Sequence, residues 1–149
     1  TDMLKFYVER INPKFKINVR GIQWASYLDK LIAQKFTLGF IAWGADYADP
    51  HNFVVPFVSS TGTYGGFKGE DYIEFAEENV DPLIEEAISL TDPEERAEIY
   101  REIQRISYEN GTDFYLYQPT AQVVMRDWVD GWYYDPIRDP GQYFYSLDK

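Results

Sequence analysis

The sequence predicts an α/β fold: a mixed sheet with a parallel βαβ core, flanked by helices. Three observations carry that expectation. Phe15, Ile17 and Val19 alternate with Lys16, Asn18 and Arg20, the period of a half-buried strand, while the apolar run that ends at Trp43 reads as a buried strand over 37–43. Between them Trp24, Tyr27, Leu28, Leu31 and Ile32 recur at spacings of three and four, which predicts a helix over about 23–34. Strand, helix and strand in that order form a right-handed crossover unit with parallel strands.

The other elements follow from local signals. Thr1 or Asp2 can cap a first helix striped by Leu4, Tyr7, Val8 and Ile11 and stopped at Asn12-Pro13. After Trp43 the apolar run breaks at Gly44 into a polar loop carrying Asp46, Tyr47, Asp49 and Asn52, and Pro50 excludes a continuing strand. The segment 53–58 reads as a helical turn. The Gly-, Ser- and Thr-rich stretch 59–69 reads as a connecting loop, with movement as a lid the less common use of such a stretch. Its G-T-Y-G-G-F-K-G run lacks the Lys-Ser/Thr ending and the strand-to-helix setting of a phosphate loop, so a nucleotide site is not expected.

Asn79 is expected to cap a helix reaching about Leu90, with Glu77, Glu78, Asp81, Glu85 and Glu86 near its first turns. Asp92 then caps a second helix with Pro93 in its first position, an apolar stripe of Ala97, Tyr100, Ile103 and Ile106, and a stop at Asn110-Gly111. The two form a hairpin whose acids are solvated faces. Segments 113–117 and 121–125 read as strands broken by Gln118-Pro119. Beyond them Trp128, Trp132, Tyr133, Tyr134, Tyr143, Phe144 and Tyr145 are more aromatic surface than residues 119–149 can bury alone. That tail is expected to pack on a lobe outside this sequence or on a partner.

Composition removes several classes. A net charge of −11 and pI of about 4.4 disfavour polynucleotides and anionic lipid. Cysteine is absent, so disulfides, thiolate metal sites and Cys nucleophiles are excluded. The single histidine, His51, lies beside the polar loop with no adjacent serine to activate. No span approaches the roughly 20 apolar residues of a membrane helix.

In an open α/β sheet, ligands gather beyond the carboxyl ends of the strands, which points to Trp43 through Asp49. Trp43 offers a flat apolar wall and Asp46 a fixed negative charge, a pair better suited to an amine- or ring-bearing solute than to a phosphate. The plainer alternative makes Trp43 ordinary core and Asp46 the brace of a turn.

The run Trp43, Gly44, Asp46, Tyr47, Asp49, Pro50 and Phe53 resembles the signature of the large solute-binding proteins of oligopeptide- and dipeptide-type ABC importers. Three further stretches are similar to that family in the same order: 17–31, 92–104 and 114–119. The resemblance implies a periplasmic-binding-protein-like lobe lying outside the cytoplasm, with no cofactor. It implies a carboxy-terminal substrate lobe over 1–118 and, over 119–149, a hinge and return segment packed on a first lobe not present here. It further implies that Asp46 holds a peptide's free amino group, that Trp43 walls a side-chain pocket, and that Tyr47 and Trp24 help shape it. Partners implied are a peptide and the permease subunits. The basic residue that some members place three before the tryptophan is Phe40 here, which leaves a peptide's carboxylate without that anchor. Because members run to several hundred residues and the chain begins without Met, basic or apolar leader, or lipid-accepting Cys, a fragment is expected.

An oligosaccharide is the alternative ligand, since aromatic walls with Asp and Asn also suit sugar rings. The competing class is an enzyme using Asp46 and Asp49 as paired carboxylates, although many pairs in an acidic chain meet that spacing. Calcium at Asp46, Asp49 and Asp71 would lack the alternating acids and central glycine of a helix-loop-helix site.

Overall fold

The computed structural model describes residues 1–120, 122–135, 137 and 147, and the chain divides into two compact units, 1–39 and 40–149. In the first unit, α1 (Asp2–Ile11) and α2 (Trp24–Ile32) form where the apolar spacing requires them. Neither helix buries a residue fully. Trp24, itself exposed, stacks on Tyr27 at 5.7 Å, and Tyr27 on Phe36 of the trailing chain at 4.9 Å.

The expected sheet does not form. Among the described residues no strand is present, apart from one isolated bridge position at Asp130, and the parallel βαβ core is overturned. Ile17 gives the physical reason most directly. Its N–H donates to Glu9 Oε1 at 2.8 Å, and its carbonyl accepts from Lys5 Nζ at 2.8 Å. A Lys5–Glu9 pair on α1, closed at 2.5 Å, therefore takes both ladder bonds that a neighbouring strand would have taken. Segments 37–43, 113–117 and 122–125 likewise hold no strand. Alternation specifies which side chains share a face; it does not supply a second strand.

The second unit holds the packed core. It comprises α3 (His51–Val58), a short 3-10 turn at Gly65–Phe67, α4 (Glu70–Asn79), α5 (Asp81–Ser89) and α6 (Pro93–Asn110). Val58, Tyr72, Ala76, Val80, Ile84, Ala87, Tyr100 and Ile103 are buried together. Full burial of Ile84 or Ile103 contributes roughly 1.5–3 kcal/mol each. The α5–α6 hairpin forms as expected: Asp92 Oδ1 accepts from the Glu94 and Glu95 N–H groups at 2.9 and 3.0 Å, and Gly111 closes α6 at φ 69°.

Two expectations here need correction. The helix start expected at Asn79 is the end of α4: the Asn79 side chain donates back to the Phe75 carbonyl at 2.8 Å. Glu77 and Glu78 therefore stand in the last turn of α4, where the helix dipole disfavours acids, and α5 begins at Asp81-Pro82. Second, the helix after the polar loop is a full two turns, starting already at His51.

The Gly-rich stretch is bound to α3. Tyr64 N–H donates to the Pro56 carbonyl at 2.7 Å and Gly62 N–H to the Ser59 carbonyl at 3.0 Å, satisfying acceptors at the carboxyl end of the helix. A Cβ on Gly62 would lie 2.0 Å from the Val55 carbonyl oxygen, so only glycine permits this approach. The loop is a clamp on α3. Of the aromatic tail, Trp128, Tyr133 and Tyr134 are exposed, while Tyr143, Phe144 and Tyr145 lie outside the described residues.

Candidate functional site

Residues 43–52 fold around one buried side chain, Asn52, in the first turn of α3. Its Oδ1 accepts from the Trp43 indole N–H at 3.2 Å and from the Asp46 backbone N–H at 2.8 Å, and its Nδ2 donates to Asp46 Oδ2 at 3.3 Å. The chain thereby turns back on itself, and Trp43 and Asp46 are brought together by a common partner.

Trp43 is half-buried. Its ring meets Phe57 at 6.1 Å and Tyr64 at 5.9 Å, both edge to face, the arrangement that aromatic quadrupoles favour. Burial pushes the Tyr64 phenol above its ordinary value. Asp46 is exposed, and among the described residues no lysine or arginine pairs with it. Gly44 is exposed between them. Tyr47 is exposed too, with its hydroxyl 2.7 Å from His51 Nδ1. Trp24 belongs to the first unit.

Asp49, paired with Asp46 in the enzyme alternative, has a different occupation. Arg96 of α6 donates to its two carboxylate oxygens at 2.9 and 3.0 Å, and the same carboxylate accepts from the His51 N–H at 2.9 Å at the start of α3. Those hydrogen bonds from Arg96, reinforced by the His51 amide, hold the Asp49 carboxyl below its ordinary value against the opposing cost of burial. Arg96 is in turn fixed by the Ala87 carbonyl at 2.9 Å and the Tyr100 hydroxyl at 3.3 Å. Asp49 is an ionised anchor that ties the loop to the α5–α6 hairpin. It is poorly suited to general acid work.

Sequence reasoning placed Asn52 in the loop without a role and passed over Arg96. The only signal for Asn52 was an amide six positions after an aspartate at a helix start. Arg96 carried none, because its partner is 47 positions away.

No family model matches the chain, and no solved structure matches it. Curated proteins do. The chain is 26% identical over 122 residues to di/tripeptide-binding protein 4 of Pseudomonas aeruginosa, covering 82% of this chain and 22% of that protein. It is 27% identical over 133 residues to heme-binding protein A of Haemophilus influenzae, covering 89% and 24% respectively. To the probable D,D-dipeptide-binding periplasmic protein of Escherichia coli it is 27% identical over 114 residues, covering 76% and 21%. Over most of its length the chain is thus similar to binding proteins named for di- and tripeptides, for heme and for a D,D-dipeptide. The chain spans about a fifth to a quarter of the length of the relatives it matches. Among its described residues, no helix is long and apolar enough to cross a membrane.

Proposed function

We propose that this chain supplies one wall of the ligand site in an extracytoplasmic solute-binding protein that serves a peptide-type ABC importer. The ligand is a peptide whose free amino group is gripped by Asp46, with Trp43 as the apolar wall and Gly44 and Tyr47 along its edge. Residues 1–118 belong to the substrate lobe, and residues 119–149 form the hinge and return segment. Closure of two lobes commits the peptide for delivery to the permease subunits.

The observation that supports this reading is the state of Asp46: an exposed carboxylate without a cationic partner among the described residues, fixed beside an indole. An ammonium group bonded there makes a charge-assisted hydrogen bond, about twice as strong as a neutral one. Two of the three relatives above are named for peptides, which favours that ligand class over a sugar. Calorimetry on the intact protein with trialanine and N-acetyltrialanine tests it. The free-amine peptide should bind and the acetylated one should bind far more weakly; equal affinity would overturn the reading.

A further inference from the structure

The amide of Asn52 is committed to the two residues of the site. It is 6% exposed, and its oxygen accepts from two N–H donors, the Trp43 indole and the Asp46 backbone, which fill both lone pairs. Those donors also fix which end of the amide is which, since an NH2 group could accept from neither. The nitrogen end then falls against Asp46 Oδ2. A residue that only braced the turn would satisfy the Asp46 N–H alone. The bonds to the indole and to the carboxylate do something more: they set the distance and angle between an apolar wall and a negative charge.

We propose that Asn52 is the positioning residue of this site, locking the Trp43 ring and the Asp46 carboxylate in one frame. Resting on the reading of Asp46 as the amine anchor, it also leaves Asp46 Oδ1 to the ligand, because the described residues make no hydrogen bond to that oxygen. Asn52 would thus govern the preference for a free amino terminus without touching the ligand. An uncommitted Asp46 side chain would sample several rotamers, and each lost arrangement weakens a directional bond.

Two readouts test this on the intact protein. Without ligand, amide spectra of Asn52→Ala should show both the Trp43 indole and the Asp46 backbone signals displaced. In Asn52→Asp, which retains an acceptor oxygen for the indole but sets a second carboxylate against Asp46 Oδ2, the indole proton should remain hydrogen-bonded and slow to exchange with solvent, while the Asp46 signal moves. An unmoved signal in Asn52→Ala, or an indole proton in Asn52→Asp that exchanges as freely as in Asn52→Ala, overturns the proposal, and if the alanine variant fails to fold, an indole proton in Asn52→Asp that exchanges as fast as a solvent-exposed indole overturns it. With ligand, the ratio of affinities for trialanine and N-acetyltrialanine should fall about tenfold or more in Asn52→Ala. A purely structural role would weaken both peptides in proportion, and an unchanged ratio therefore overturns the positioning role. A wild-type protein that does not discriminate the two peptides removes Asp46 as amine anchor, while the spectra still decide whether Asn52 sets the frame.

Discussion

Arg96 and Asp49 meet in a two-pronged hydrogen bond, 2.9 and 3.0 Å, across 47 positions of sequence. This contact joins the loop that carries Asp46 to the core hairpin, since Arg96 also bonds the Ala87 carbonyl and packs over the Tyr100 ring at 5.3 Å. The side chains are 25% and 28% exposed, intermediate between a surface pair and a buried one.

Arg96→Met should therefore lower the urea midpoint, because Asp49 loses both guanidinium hydrogen bonds. The pH dependence has a definite sign. Asp49 is held below its ordinary value near 3.8, so its contribution is complete above that pH and is lost as pH falls through the lower, folded-state value. Urea denaturation of wild type and variant between pH 7 and pH 3 should show their difference constant down to about pH 4 and shrinking below it. A difference that grows in acid would contradict this assignment.

Gly65→Ala tests the clamp on α3. The new methyl would lie 2.1 Å from the Ser59 carbonyl oxygen, a backbone atom that cannot swing aside. Overpacking of this kind costs about 1–3 kcal/mol, read as a lower denaturation midpoint. Gly66→Ala, whose Cβ would stand 3.2 Å from Ser60 O, should cost less. Equal effects would mean that the 59–67 loop is not clamped as described.

Asp92→Ala should cost about 1 kcal/mol, since two N–H groups in the first turn of α6 lose their acceptor. Asp92→Asn and Asp92→Ser should recover most of it. A thermal or urea midpoint unchanged by the alanine variant would show that α6 is held by packing alone.

What could be read from the sequence follows the range of the interaction. The cap at Asp92, the stop at Gly111 and the stripe of Tyr100 and Ile103 are signals within one or two turns, and the α5–α6 hairpin follows them. Asn79 was ambiguous for the same reason: an amide that can cap the next helix can equally bond its own, and it donates to Phe75. The absence of the sheet was not legible, because Ile17 is satisfied by side chains of α1 and no sequence period reports that competition. At the site, Trp43 and Asp46 stood out by type and spacing, whereas the partners that fix them, Asn52 and Arg96, are defined only by three-dimensional closure.

The central claim is that the Asp46 carboxylate grips a ligand's amino group. The most direct measurement is calorimetric titration of trialanine into the intact protein and its Asp46→Ala variant at neutral pH. A loss of roughly 2–5 kcal/mol of binding free energy is predicted, as for truncation of one partner in a desolvated charge pair. An unchanged Kd would contradict it and remove Asp46 from the site.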